Sequence, residues 1–169
     1  MNNGKALELF VYELYCDLGY SEVRLDSRIS KNIDGIGISG QIDLTYKNLF
    51  LTRYVECKYR SNCNVNFDDY SKFETTLKTF NVPLYCGEII TNKKFDSKVI
   101  ARCKETGITL IDIDKLKELD SKRMKGYRLG ISLYNFFRLS SETSLLNAAM
   151  KYYRKFLPIE KQLSLYAAT

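Results

Sequence analysis

The sequence predicts an α/β fold in which a mixed β-sheet is flanked by helices and followed by a helical C-terminal extension. Apolar residues recur at helical spacing near the N-terminus, runs rich in β-branched and aromatic residues follow, and two later apolar runs alternate with helical patterns. Hydrophobic residues make up 45% of the 169 positions, which is ordinary for a globular core. No apolar run is long enough to span a bilayer, so we expect no membrane partner.

The first half of the chain predicts a helix, a strand and a hairpin. Gly19 ends the helical pattern, because glycine adopts the backbone conformations that terminate helices. Three glycines then favour a loop, and Lys47-Asn48 separates two β-rich runs. In chain order these elements are a helix over residues 7–18, a strand over 22–28, a loop over 30–40, and hairpin strands over 41–46 and 50–59.

The second half predicts helices that alternate with buried strands. Pro83 and Gly107 stop two helical patterns, and the nearly all-apolar run between them is typical of a strand buried on both faces. In chain order these elements are a helix over residues 68–80, a strand over 84–90, a helix over 95–105, a strand over 108–113 and a short helix over 114–119.

Charge divides the chain at residue 120, where we place a domain boundary. Residues 1–120 hold 17 Lys or Arg and 18 Asp or Glu, whereas residues 121–169 hold nine Lys or Arg and two Asp or Glu. The extension is expected to form a helix that begins near Ser141 and ends at Pro158. Its basic excess predicts a polyanion partner, most simply nucleic acid, although a solvated basic face is equally compatible with the charge alone.

The lack of histidine and the spacing of the cysteines exclude several kinds of catalytic and metal site. The chain has no histidine, which excludes a Ser-His-Asp triad, a Cys-His nucleophile and imidazole-based zinc sites. Its five cysteines form no CxxC pair, so we expect reduced thiols rather than a disulfide framework or a zinc knuckle. The N-terminus lacks the apolar stretch of a signal peptide, and we therefore expect a cytoplasmic protein.

Two carboxylates and a lysine form the chemical signal of the sequence. Asp43 lies on the first strand of the predicted hairpin, and Glu56 and Lys58 lie two residues apart on the second, so they project from one face. The hairpin returns Asp43 beside Glu56, where the two charges repel unless a cation lies between them. Mg²⁺ or Mn²⁺ suits such a site, because these ions prefer oxygen ligands. An exposed strand pair carrying ordinary charges is the alternative.

Several short motifs in the right order resemble the PD-(D/E)xK nucleases, and among them the Mrr-like restriction endonucleases. The Gly-Lys-Ala-Leu-Glu sequence at residues 4–8 is similar to the family's opening motif GxxFE, with Leu7 in place of Phe. Many Mrr-like sequences carry Gln where this chain has Glu56, so its site is closer to the wider superfamily. The other matching segments are Leu18-Gly19-Tyr20, Asp43, Glu56-Cys57-Lys58, residues 90–95 and residues 107–112.

The resemblance implies a restriction-endonuclease-like fold over residues 1–120 and a Mg²⁺- or Mn²⁺-dependent DNA endonuclease. Asp43 and Glu56 would bind the metal, Lys58 would complete the catalytic set, and Glu8 would be an accessory carboxylate. Family members are often dimeric, so we expect a homodimer.

DNA contacts are expected from four basic residues. Arg60 follows the catalytic strand, and Lys151, Arg154 and Lys155 lie in the basic extension. In an alternative interpretation, the extension helix is a core or dimer element.

Two other functions stay open on the sequence. Residues 23–27 and the glycine-rich segment after them are similar to archaeal Holliday-junction resolvases, which would make this a structure-selective resolvase. The other alternative is a catalytically inactive nuclease fold that only binds DNA. The intact set of Asp43, Glu56 and Lys58 argues against inactivity, because an unused site has no physical reason to keep two repelling carboxylates.

Overall fold

The computed structural model describes residues 3–137, 155 and 157–168, and it describes no side chain at residue 33 or at residues 126–137. The helices and strands follow the predicted order, with a 3-10 turn at Leu84–Cys86 before the fourth strand. They are α1 (Asn3–Asp17), β1 (Ser21–Ile33), β2 (Ile36–Asn48), β3 (Leu51–Lys58), α2 (Phe67–Thr79), β4 (Gly87–Thr91), α3 (Ser97–Thr106), β5 (Thr109–Ile111), α4 (Ile113–Phe137) and α5 (Ile159–Ala168).

The five strands form one mixed sheet in the order β1-β2-β3-β4-β5. β1, β2 and β3 pair antiparallel through two hairpins, whereas β3, β4 and β5 run parallel and are connected through α2 and α3. All five residues of β4 are buried, which is the usual state of a parallel strand covered on both faces. The predicted α/β fold is therefore confirmed.

Two apolar clusters cover the sheet. One contains side chains of α1, α4 and α5 together with Val55 and Ile90, and the other contains side chains of α2 and α3 together with Ile89. Ile89 and Ile90 are neighbours on β4 and point to opposite faces of the sheet. The sheet is consequently the middle layer of a three-layer domain.

The glycine-rich segment forms strands, so the predicted loop over residues 30–40 is wrong. β1 and β2 pair continuously from Arg28–Gln41 to Ile33–Ile36 across a turn at Asp34-Gly35. Both turn residues have positive φ angles, which is the geometry that Asp-Gly favours in a two-residue hairpin turn. The second hairpin is confirmed, but it turns at Leu49-Phe50, because Lys47 and Asn48 still pair with β3.

The C-terminal part departs most from the prediction. The short helix expected at residues 114–119 is the start of the 25-residue α4, which crosses residue 120 without interruption. α5 packs on α1, where Tyr166 meets the Phe10 ring edge-on at a centroid distance of 6.4 Å. The helix expected between Ser141 and Pro158 lies outside the described residues, apart from Lys155 and Leu157.

Across the described ranges, none of the helices has the length and apolarity that crossing a membrane requires.

Candidate active site

Asp43 lies where β2 and β3 stop pairing. The last paired residues of the ladder are Leu44 and Val55, and Asp43 and Glu56 are the next residues beyond this pair on the two strands. The backbone N–H of Cys57 donates a hydrogen bond to Asp43 Oδ2 at 2.7 Å. This bond fixes one carboxylate oxygen of Asp43 against β3 and leaves the other oxygen for a ligand.

The side chains on either side of Asp43 in β2 point to opposite faces of the sheet. Ile42 belongs to the apolar cluster beneath α2 and α3, whereas Leu44 belongs to the cluster beneath α1. Residues two apart on a regular strand face the same side, so the strand twists between these positions. Asp43 lies between these two positions, at the end of the β2–β3 ladder.

Glu56 and Lys58 project together from β3, as their spacing predicts. Their side chains are about one-fifth exposed, and Lys58 Nζ donates a hydrogen bond to Glu56 Oε1 at 2.6 Å. Val55 and Cys57 point to the opposite face, where both are buried in the core. β3 therefore has one polar and one apolar face, and its polar side chains lie near Asp43.

Burial and the neighbouring Glu56 charge raise the pKa of Asp43 from 3.8 to about 6. The Cys57 hydrogen bond and the positive charges of Lys58 and Lys5 act in the opposite direction but do not outweigh them. Burial lowers the pKa of Lys58, yet the charges of Glu56, Asp43 and Asp69 raise it above its usual value. The cluster thus holds a carboxylate that is costly to ionise and an ammonium that keeps its proton.

Glu8 approaches this cluster from α1. Burial and the charge of Asp43 raise the pKa of Glu8, although Lys5 Nζ donates a hydrogen bond to Glu8 Oε2 at 2.8 Å. The same ammonium bonds to both carboxylate oxygens of Asp26 on β1, the nearer at 2.7 Å. Lys5 therefore ties α1 to β1 beside the candidate site, which the sequence pattern did not indicate.

The donor set fits a hard divalent cation. Asp43 and Glu56 supply carboxylate oxygens from adjacent strands, and their mutual repulsion is the kind that a bound cation relieves. In the part of the chain that the structure describes, no three His, Cys, Asp or Glu side chains lie close enough to hold a metal ion. A metal at this site would accordingly keep several water ligands, as Mg²⁺ usually does.

The basic residues expected to contact DNA differ in their placement. Arg60 follows β3, is 29% exposed, and forms an ion pair with Asp69 of α2. Lys155 is only 4% exposed and its Nζ lies 2.6 Å from Asp17 Oδ2, so its ammonium is turned into the protein and does not suit a DNA contact. Lys151 and Arg154 lie outside the described residues.

Sequence reasoning missed the residues that hold the end of β3. Thr91, which is fully buried, donates a hydrogen bond to the Lys58 carbonyl at 2.7 Å, and Asn92 bonds to the backbone of Arg60. The only available signal was the position of Thr91 in the family-like segment at residues 90–95, which gives no contact partner.

The fold and the paired strand carboxylates define a restriction-endonuclease-like domain. The family model Mrr_cat, described as a restriction endonuclease, matches residues 1–119, and the chain belongs to this family. The matched region includes Glu8, Asp43, Glu56 and Lys58. The chain is therefore a member of a nuclease family, and no curated protein matches its sequence.

Solved structures share the fold at low sequence identity. AF1548, a protein of unknown function, aligns with a TM-score of 0.60 and 15% identity over 99% of this chain and 96% of its own. VC1899 from Vibrio cholerae aligns with a TM-score of 0.50 and 15% identity over 72% of this chain and 32% of its own. Can2 from Sulfobacillus thermosulfidooxidans, solved with cyclic tetra-adenylate, aligns with a TM-score of 0.51 and 17% identity over 70% and 35%. The latter two are thus about three times as long as the region they share with this chain.

Proposed function

We propose that this chain is a metal-dependent DNA endonuclease of the restriction or defence type, which hydrolyses phosphodiester bonds with Mg²⁺ or Mn²⁺. One observation carries the proposal. Asp43 and Glu56 lie at the open end of a β-ladder with Lys58 beside them, and burial together with the Glu56 charge raises the pKa of Asp43 to about 6. A fold gains no stability from such a pair of carboxylates, whereas metal-assisted hydrolysis requires it.

Each side chain has a distinct role in the proposed reaction. Asp43 and Glu56 would hold the metal, which when bound stabilises charge on the scissile phosphate and lowers the pKa of a water molecule. The Cys57 N–H fixes Asp43, so that one ligand is oriented before the metal arrives. Lys58 contributes a fixed positive charge, which orients the attacking water or neutralises charge that develops on the phosphate.

Glu8 has a supporting role in this proposal. Its carboxylate lies near enough to Asp43 for the Asp43 charge to raise the pKa of Glu8, and a hydrogen bond from Lys5 holds the Glu8 carboxylate in place. We assign Glu8 as an accessory carboxylate near the metal rather than as one of its two principal ligands.

DNA is the proposed substrate, and the basic extension is proposed to bind its backbone. Lys151, Arg154 and Arg60 would supply phosphate contacts, which give affinity without sequence preference. We also propose a homodimer, because restriction endonucleases cut two strands, and multi-angle light scattering of the full chain tests this stoichiometry.

A substrate and metal panel tests the reaction. The full chain is incubated with supercoiled plasmid, linear duplex, single-stranded DNA, duplex RNA and a four-way junction, each with Mg²⁺, Mn²⁺ or EDTA. We expect cleavage of duplex DNA with either metal and none with EDTA. Exclusive cleavage of the junction would instead support a structure-selective resolvase, and full activity in EDTA would contradict the metal-dependent site.

Matched variants test the site. Glu56→Gln and Lys58→Met should each lower the cleavage rate by at least about 10²-fold, because each removes a metal ligand or a charge that stabilises the transition state. Asp34→Asn is the control: it removes an exposed carboxylate from the β1–β2 turn, where Asn also tolerates the positive φ angle. Unchanged cleavage by Glu56→Gln would show that the site lies elsewhere.

A further inference from the structure

Asn92 forms a two-way hydrogen-bonded bridge to the backbone of Arg60. Its Oδ1 accepts a bond from the Arg60 N–H at 2.8 Å, and its Nδ2 donates to the Arg60 carbonyl at 2.9 Å. β3 and β4 stop pairing at Lys58 and Thr91, so these bonds continue the ladder beyond its last backbone pair through a side chain. Asn92 therefore sets the path of the chain immediately after the candidate catalytic strand.

Asp69 holds the side chain of Arg60. Its carboxylate forms an ion pair with the Arg60 guanidinium, and Asp69 itself is fixed in the first turn of α2, where its N–H bonds to Asn66 Oδ1 at 3.0 Å. The Asp69 side chain is 13% exposed, whereas that of Arg60 is 29% exposed. The acid is thus mostly enclosed, and the guanidinium remains accessible to a ligand.

The held guanidinium keeps donors for a phosphate. A guanidinium carries five N–H donors in a planar fork that matches phosphate oxygens. In the described part of the chain, Arg60 uses its side chain toward Asp69 and toward the Tyr59 carbonyl at 3.1 Å. Other donors of the fork remain for an anion that approaches from solvent, two residues along the chain from Lys58.

We propose that Asn92 and Asp69 are positioning residues, which together hold the Arg60 guanidinium just beyond the end of β3, where it binds a DNA phosphate adjacent to the cleaved one. This inference rests on the proposed nuclease function and deepens it by naming a phosphate contact and its supports. Asn92, which follows β4, holds the backbone of Arg60, and Asp69 of α2 holds its side chain. The guanidinium is therefore ordered before DNA binds, which reduces the entropic cost of the contact.

A double-mutant cycle tests the inference. Binding of a fluorescein-labelled duplex to the full chain is measured in Ca²⁺ over a range of salt concentrations, and KM and kcat are measured in Mg²⁺. Arg60→Ala should reduce the slope of log K against log salt by about 0.9, the value of one lost phosphate contact. It should also raise KM by about tenfold, with a smaller change in kcat.

Asn92→Ala and Asp69→Asn should each move the slope and KM in the same direction as Arg60→Ala. Neither should add to the effect in the Arg60→Ala background, because each acts through Arg60. Asp69→Asn keeps the shape of the side chain and leaves the Asn92 bridge untouched, so it decides the question if Asn92→Ala does not fold. Asn32→Ala, an exposed asparagine of β1, is the control and should leave slope and KM unchanged.

The outcomes separate this inference from the proposed function. If the unmodified chain cleaves DNA but Arg60→Ala leaves the salt slope and KM unchanged, the Arg60–Asp69 pair is only a structural ion pair and the inference is wrong. Effects of Asn92→Ala that persist in full in the Arg60→Ala background would also overturn it. A chain that neither cleaves nor binds DNA would refute the proposed function itself.

Discussion

Replacing Asp43 by Asn should inactivate the protein and make it more stable. The amide oxygen of Asn can still accept the Cys57 N–H, which donates to Asp43 at 2.7 Å in the present structure. The substitution therefore keeps the shape and the hydrogen bond and removes only the negative charge beside Glu56. It measures the cost of ionising Asp43, to which burial and the Glu56 charge both contribute.

The size of the effect follows from the pKa of Asp43. Burial and Glu56 raise this pKa from 3.8 to about 6 in the folded chain. One pKa unit corresponds to about 1.4 kcal/mol, so ionising Asp43 costs the folded state roughly 1–3 kcal/mol, where the upper value applies without solvent screening of the half-buried carboxylate. Asp43→Asn should raise the free energy of unfolding by that amount at pH 7.

The effect should depend on pH with a definite sign. A folded-state pKa above the unfolded value means that the unfolded chain releases its proton first as the pH rises. The stability of the unmodified protein should therefore fall between about pH 4 and pH 6 through this group, and stay level above. The advantage of Asp43→Asn should be full at pH 7 and absent below about pH 4.

Thermal unfolding and a cleavage assay measure the two consequences. For a chain of this length, each kcal/mol shifts the melting temperature by roughly 2–4 °C, so the variant should melt several degrees higher at pH 7 without metal. Mg²⁺ should raise the melting temperature of the unmodified protein more than that of the variant. Cleavage should fall by at least about 10²-fold. A variant that is less stable at pH 7, or that cleaves normally, would refute the repelling-carboxylate account.

The remaining predictions concern the metal, the core and the C-terminal segment. Ca²⁺ should support DNA binding in a gel-shift assay without turnover, because its looser coordination orients water poorly. Gly87→Ala should lower the free energy of unfolding by about 1–3 kcal/mol in denaturant titrations, since a Cβ there would lie 2.5 Å from Leu77 Cδ1. Gly37→Ala, with no atom within 4 Å, should be neutral. Lys155→Met should cost roughly 1–3 kcal/mol of stability by leaving Asp17 without its ammonium, while the salt dependence of DNA binding stays unchanged.

The β1–β2 hairpin shows where local sequence preference fails. Residues 30–40 contain three glycines, which disfavour strands, yet they pair in register from Ser30–Ser39 to Ile33–Ile36. The Asp34-Gly35 dipeptide favours a two-residue hairpin turn, and this signal was present in the sequence. The two strands stabilise each other through hydrogen bonds across the turn, and the β-propensity of the single residues does not include this contribution.

The placement of Asp43, Glu56 and Lys58 was predictable because their geometry is local. A hairpin of β2 and β3 brings Asp43 beside Glu56, and a strand period of two puts Glu56 and Lys58 on one face. The approach of Glu8 and Lys5 was not predictable from spacing, because it depends on how α1 packs on the sheet. Ile42 and Leu44 likewise point to opposite faces of the sheet only because each packs into a different apolar cluster.

The sequence alone determined the α/β order of elements, the absence of histidine chemistry and the carboxylate–lysine set on adjacent strands, since each depends on residue type and short-range period. Only the tertiary structure decided which charges meet across long separations. It placed Lys155 against Asp17, 138 residues away, and Asn92 against Arg60, 32 residues away. Such contacts form because a buried charge or an unpaired backbone group must find a partner, and packing of the whole domain determines which partner lies within reach.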